Sequence, residues 1–523
     1  MQVSCAASFA AQVLFRMMLL LPLPLAAQDV TLISRDGKVE IAGTLLGFDG
    51  EFYRVDTAYG ELTVDGSGVN CDGPGCPDLE TYVAELRISG AAAAGEVLLP
   101  ALIEGFALRS GFAVTREERP GQRVLYTLAA AESGRPAARV LIHSTNTDEG
   151  FADLLANEAD IVMSLREIRE AEAERAWEAG MGDMRAAGRV RVLALDALVP
   201  IVAPDNPVRA ISVPDLAAVF SGEITSWSRL GGPEAPISVH LRDPVAGLAQ
   251  AVEDRLLAPV GATLRADVVR HPSDRALTAA VIQDPFALAL STTSETGNAV
   301  PLGLSGACGF AMQATRRNAK TEDYPLTAPV FLYTPARRLP QIARAFLDYT
   351  RSDAAQLVIR RAGFIDQTPE EIPITDQGDR FANAIALAGT EVTISELRRM
   401  VAVLRPLRRL TLSFRFEPGS TELDAQSRSN IRRLAADLET GQFDGRRLVF
   451  IGFSDGKGRA ESNALIARTR AEGVRRAVLS AAETMDETRV RLDVDAFGEA
   501  MPMACDDSTW GAKANRRVEV WVK

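Results

Sequence analysis

The run RVLALDALVPIVAP, Arg191–Pro204, decides how most of this chain folds. It reads as a strand, as do ELRISG (Glu85–Gly90) and RVLIHS (Arg139–Ser144). EVLLPALIEGFALRSG (Glu96–Gly111) and LPQIARAFLDYTRSDAAQLVIRRAG (Leu339–Gly363) instead carry the apolar spacing of helices. Alternation of this kind, from about Thr81 to Asp366, argues an α/β domain with largely parallel sheets. With roughly 290 residues it is large enough for two lobes and a cleft.

Working outward, Val30–Gly66 alternates short β-rich runs with DG and YG turn signals, the pattern of a small antiparallel β unit. On the other side, QTPEEIPITDQGD (Gln367–Asp379) and ELRRMVAVLRPLRR (Glu396–Arg409) read as a connector that ends in a basic helix. Strands and helices resume in Leu410–Lys523. The expected fold class is multidomain α/β: a small N-terminal β unit, a two-lobed α/β domain and a C-terminal α+β domain. The expected boundaries are 1–27, 28–78, 79–370, 371–409 and 410–523.

Charge and targeting narrow the function classes. The 523 residues hold 57 Lys+Arg against 69 Asp+Glu, a net −12, with no long basic run. A nucleic-acid partner is not expected, because phosphate neutralisation needs clustered positive surface. Residues 1–27 lack any acid and carry the apolar run MMLLLPLPL before AAQD, the pattern of a secretory signal peptide. No later segment is apolar enough to span a bilayer, so a soluble protein exported to an oxidising compartment is expected. In that oxidising compartment Cys71 and Cys76, flanking DGPG, are candidates for a loop disulfide. Cys308 and Cys505 are either two buried thiols or an interdomain bridge. His143, His240 and His271 show no metal-ligand spacing and no nucleophile motif is present, so neither an enzyme nor a cofactor or metal is expected.

Several phrases of the central segment resemble the periplasmic phosphate-binding proteins of ABC transporters, the PstS-like group. ANEADIVMSLRE (Ala156–Glu167), the block Leu193–Asp243 with its W-x-x-L-G-G at Trp227–Gly232, and EDYPLTAPVFLYT (Glu322–Thr334) carry the resemblance. It implies a cleft for a small anion such as phosphate, and a membrane permease or other envelope partner. By position it implies anion ligands at Ser144, Asp160 and Arg242, with Ser164, Arg166 and Gly247 as further candidates. The family's hydroxyls after the arginine are missing, since RDPVAGLAQ has Ala246 and Leu248, and SGAAAAGE offers alanines in the first loop. Each lost donor costs ~1–3 kcal/mol. The alternative is therefore an envelope adaptor whose solute-binding fold has lost its ligand.

In the last segment, LVFIGF (Leu448–Phe453) is an apolar strand, and SDGKG (Ser454–Gly458) the loop leaving it. On the next helix Asn463, Ile466, Arg470, Gly473, Val474 and Ala477 recur at intervals of three or four and are expected to share one face. A half-buried Arg470 needs a carboxylate or a ligand. Asp455, on the adjacent loop, is placed to flank it, either as a salt bridge or as half of a binding site. FRFEPGSTELDAQS (Phe414–Ser427), GFSDGKGRAESNALIARTRAEGV (Gly452–Val474) and FGEAMP followed by ANRRVEVWV resemble the OmpA-like peptidoglycan-binding domains. The resemblance implies that Asp455 and Arg470 grip the zwitterionic end of diaminopimelate in the wall peptide. Asn463 would hold the loop, and Asn515 with Arg516 would lie near the site.

Overall fold

The computed structural model describes residues 29–523 apart from 80, 187, 245, 306–310, 390, 417–419, 421 and 507–508. The expected signal segment, with Cys5, and Cys308 lie outside the described residues. The chain forms two compact units, one made of the residues up to Ala84 with Arg338–Arg344, the other of the remainder.

In the first unit, β1 (Val30–Ser34), β2 (Glu40–Phe48), β3 (Phe52–Thr57), β4 (Gly60–Asp65) and β5 (Val69–Asp72) pair in the order β4-β3-β2-β1-β5. All pairings are antiparallel. Alternate residues Val30, Leu32, Tyr53 and Val55 are buried together, as period-two patterning requires. The Cys71–Cys76 disulfide is formed, with Cα atoms 5.8 Å apart. The 338–344 segment joins this unit through Arg338, which pairs with Asp49 at 2.7 Å and lies over the Phe52 ring.

The second unit begins with β6 (Ala84–Ala91), then the meander β7 (Phe112–Arg119), β8 (Arg123–Ala130) and β9 (Pro136–Thr145), then β10 (Ile161–Ser164) and β11 (Val190–Val202). It continues with β12 (Ala210–Ser212), β13 (Ser238–Arg242), β14 (Val269–His271), β15 (Ala287–Thr292), β16 (Val300–Pro301), β17 (Gly303–Ser305) and β18 (Thr327–Tyr333). Ten of these run in the order β14-β13-β15-β11-β18-β10-β6-β9-β8-β7, with β16 beside β11. The sheet is mixed rather than largely parallel. β10–β6, β13–β14 and β13–β15 are parallel, whereas β7–β8, β8–β9, β10–β18, β11–β15 and β11–β18 are antiparallel. The cause is β11 itself. Its first half pairs with β18 and its second half with β15, so one thirteen-residue strand passes from lobe to lobe, and its partners must run back along it. β11 is buried almost throughout.

The connector does not stay apart. β19 (Glu371–Ile372) is an edge strand on β20 (Arg408–Arg415), in a sheet of order β19-β20-β23-β21-β22 with β21 (Arg447–Phe453), β22 (Arg491–Ala496) and β23 (Arg517–Val522). The helices Ala425–Glu439 and Ala460–Ala481 bury Leu434, Val474 and Val478 against one face, with Phe414, Phe450 and Val520. The helices Gly378–Ala386 and Ile394–Leu404 bury Ala384, Met400 and Leu404 against the other, with Ile451, Phe453 and Trp521. No helix among the described residues is long and apolar enough to cross a membrane.

A buried charge cluster ties this domain to the central one. Arg409 donates to both carboxylate oxygens of Asp323, at 2.5 and 3.0 Å, and Arg415 donates to the Glu322 carbonyl at 2.6 Å. Glu519, fully buried, accepts from Arg380, from Arg517 at 2.7 Å and from Trp521 Nε1 at 3.0 Å. Burial pushes its carboxyl up, but the guanidinium groups of Arg380, Arg409 and Arg517 outweigh this and hold it well below the carboxylate range. Cys505 is disulfide-bonded.

Candidate functional site

The C-terminal site is built on the junction of β21 with the 460–481 helix. Gly452 makes that junction close: a Cβ there would stand 2.0 Å from the Ala467 carbonyl oxygen, so only glycine lets the helix rest on the strand. The loop after β21 is held from two sides, by Ser454 N–H donating to the Gly498 carbonyl (2.8 Å) and Gly456 N–H to the Asp506 carboxylate (2.6 Å). Asp455 is thereby presented beside Arg516, which donates to it at 3.0 Å.

Arg470 faces the same place, but not by the face expected. The buried residues of this helix are Asn463, Ala467, Ala471, Val474 and Val478, and Ile466 is 46% exposed. Arg470 sits at the border of the buried stripe, because the helix turns 3.6 residues per cycle and the stripe shifts by one position along it. Its guanidinium lies 5.1 Å from the centroid of the Phe416 ring, a cation–π contact. Its Nε is buried without a hydrogen-bond partner, and no carboxylate among the described residues comes within ion-pair distance of it. Burial, followed by the neighbouring Arg516, lowers its pKa, while Asp455 opposes the shift. The result is one carboxylate and two guanidinium groups close to one another, with Arg470 not ion-paired to any described residue.

Asn463 and Asn515 act as supports. Asn463, 3% exposed, donates to Glu499 at 2.5 Å. The Asn515 amide oxygen accepts from Met503 N–H (2.7 Å) and Ala504 N–H (3.2 Å), while its amino group donates to the Ala504 carbonyl and Asp506. Together they fix the loop that holds Gly456. Phe416, Glu499 and Asp506 were not singled out in the sequence, because their parts depend on contacts with remote segments.

In the central domain most of the anion candidates are engaged by other protein groups. Asp160 precedes β10 while Ser164 ends it, so they lie at opposite ends of one strand. Asp160 is held by Arg87, through its N–H at 2.8 Å and its guanidinium at 3.0 Å, and by Arg337 at 2.7 Å. The Ser164 hydroxyl donates to the Arg166 carbonyl at 2.5 Å and closes a turn. Arg166 is paired with Asp148 and with Glu172 at 2.6 Å. Ser144 packs on the first loop, where a Cβ at Gly95 would lie 2.4 Å from its hydroxyl. Arg242, ending β13, pairs with Asp274. Burial raises the carboxyls of Asp274, Glu96 and Glu295, each against the pull of Arg242. A Cβ on Gly247 would meet Leu165 Cδ1 at 3.5 Å and the Ala91 Cβ at 3.7 Å. The start of the Gly247–Val252 helix therefore faces aliphatic groups, with Ala246 and Leu248 buried beside it.

Among the described residues of this domain, the Ser89, His143 and Asp153 cluster is not ordered as a nucleophile relay. Ser89 donates to Asp153 at 2.5 Å, and His143 Nδ1 meets the same carboxylate at 3.0 Å. Serine and histidine thus share one acid, where catalysis would need histidine between the other two. His240 and His271 stack with Nδ1 and Nε2 2.9 Å apart, and burial lowers both pKa values.

Comparison with known proteins agrees with this architecture. The family model described as "PBP superfamily domain" matches residues 81–354, and that of the OmpA family matches 415–517. The chain is 22% identical over 232 residues to the phosphate-binding protein PstS of Borreliella burgdorferi, covering 43% of this chain and 79% of that protein. It is 24% identical over 238 residues to protein SphX of Synechococcus elongatus, covering 43% and 68%. A crystal structure of an ABC-type phosphate transport receptor from Vibrio cholerae aligns at 18% identity with a TM-score of 0.42, over 54% of this chain and 99% of that one. Of these, the Borreliella protein is a phosphate-binding protein by name and the Vibrio cholerae protein a phosphate transport receptor. With a match over more than half of its residues, the chain belongs to the PBP superfamily, and it carries an OmpA family domain at its C-terminal end.

Proposed function

We propose that this chain is a non-catalytic protein of the bacterial periplasm that holds a solute-binding fold against peptidoglycan. The observation that carries the wall-binding half is Arg470, half-buried, without a carboxylate partner among the described residues, and facing Asp455. A zwitterionic peptide end such as that of diaminopimelate would complete it. Its ammonium would pair with Asp455, and its carboxylate would take the Arg470 fork bidentately. Arg516, already on Asp455, would brace that carboxylate against the incoming ammonium. Tethering of this kind would keep the central domain near the wall and near a membrane permease or another envelope partner. Asp455→Ala combined with Arg470→Ala is expected to abolish co-sedimentation with purified peptidoglycan while leaving the circular-dichroism spectrum intact. Undiminished co-sedimentation would refute the assignment.

For the central domain, the relatives' names point to a small anion such as phosphate, for which Arg242 and the Gly247 amide would be the contacts. The aliphatic surroundings of Gly247 and the pairing of Arg166 and Arg242 with carboxylates favour the second function, an envelope adaptor with no solute in this cleft. Calorimetric titration of the full chain with orthophosphate and sulfate separates the two. Micromolar binding that Arg242→Gln removes would support the receptor; absence of heat would support the adaptor.

A further inference from the structure

The 425–439 helix lies against the central domain, and a cavity of about 950 Å³ opens between them. Five arginines line it: Arg109, Arg191 and Arg351 from the central domain, Arg432 and Arg433 from the helix. The carboxylates on its wall are Asp353 and Asp437, and Arg433 engages both, at 3.3 and 3.4 Å. Asp348 stands 3.7 Å from Arg191, which also donates to the Leu347 carbonyl. Arg432 donates to the Val190 carbonyl at 3.1 Å. Arg351 makes no side-chain hydrogen bond or ion pair among the described residues.

Positive charge is therefore in excess on a walled surface. Burial, and then the repulsion of Arg351, bring the Arg191 and Arg432 pKa values down to about 10. An isolated protein would be expected to dissipate such an excess with acids on neighbouring positions, since uncompensated charge near low-dielectric walls is costly. The helix Asp353–Arg361 begins on the same wall, and its dipole adds positive potential there.

We propose that this cavity is a second anion site, separate from the interlobe cleft, and that it takes a multiply charged phosphate compound of the short polyphosphate class. Its volume is that of pockets for ligands well above the size of orthophosphate. Guanidinium forks bind phosphate oxygens bidentately, and several of them reward a chain of phosphates over a single one. Because the walls come from both domains, the ligand would also brace the domain junction.

The test is calorimetric titration of the full chain at 0.15 M salt with sodium tripolyphosphate, orthophosphate and citrate. Tripolyphosphate should bind at least tenfold more tightly than either of the others. Arg351→Gln should weaken it about tenfold without moving the melting temperature, because Arg351 holds nothing else in the fold; Arg351→Gln with Arg432→Gln should abolish it. No heat with tripolyphosphate, or equal binding by the double variant, would overturn the proposal. So would citrate binding equally well, or loss of binding in Arg242→Gln but not in Arg351→Gln, which would move the site to the cleft.

Discussion

Replacing Asp323 by alanine should cost far more than removal of a surface carboxylate. Arg409 is 1% exposed and Asp323 5%. With Asp323 gone, Arg409, Arg380 and Arg517 would share Glu519 alone, with Arg409 3.3 Å from it. Burial raises the Asp323 carboxyl, but Arg409 reverses this and keeps it ionised below its usual range, so the charge lost is a full one. Breaking one partner out of a buried pair costs about 3–5 kcal/mol, whereas replacing both by apolar groups of similar volume is often neutral. For a C-terminal domain of roughly 150 residues, at about 2–4 °C per kcal/mol, the melting temperature should fall by on the order of 10 °C. Differential scanning calorimetry of the full chain reads this directly. Because the pair joins two domains, limited proteolysis should also find the 366–378 segment cut sooner. Asp323→Leu with Arg409→Met should regain most of the loss. A single-variant cost under about 1 kcal/mol, the size of an exposed pair, would refute the reasoning, as would a double variant no better than the single one.

Other consequences follow from the same geometry. Burial, aided by Asp424, pushes the Glu322 carboxyl up to about 8, against the pull of Arg415. Its unfolded value is about 4.3, so the stability it contributes is complete below that, declines as pH rises toward about 8, and is lost above. Glu322→Gln should accordingly leave the melting temperature unchanged near pH 4 and raise it progressively up to pH 8; a pH-independent difference would contradict this. In the N-terminal β unit, Cys71→Ser opens a loop of sequence separation 5, worth about 2 kcal/mol of chain entropy. Hydrogen exchange of the β1 and β5 amides should quicken roughly thirtyfold, and unchanged protection would show that the disulfide is dispensable. Asn515→Ala leaves the Met503 and Ala504 N–H groups without their acceptor and should weaken wall binding by loosening the Asp506 loop, measured in the same co-sedimentation assay.

Much of the fold was legible because it rests on local patterning. Alternating residues and turn signals in Val30–Gly66 predict a small antiparallel β unit, to which the structure adds β5 at Val69–Asp72, and the Leu448–Phe453 run predicts β21 and the loop that carries Asp455. The mixed direction of the central sheet was not legible, since nothing in Arg191–Pro204 says that its two halves take different partners. Nor does Gln367–Arg409 announce that it closes the second face of the C-terminal sheet: its apolar residues Met400 and Leu404 are spaced as on any amphipathic helix, whatever they cover.

The sites divide in the same way. Motif order along the chain was enough to nominate Asp455, Arg470 and Arg242, and to identify both families. Whether each arginine is free or spent was decided only in three dimensions. Arg242 finds Asp274 and Arg166 finds Glu172, while Arg470 finds an aromatic ring and, among the described residues, no acid within ion-pair distance. The physical reason is that a guanidinium's charge is neutralised by whatever stands within about 4 Å, and those neighbours come from segments that only folding brings together.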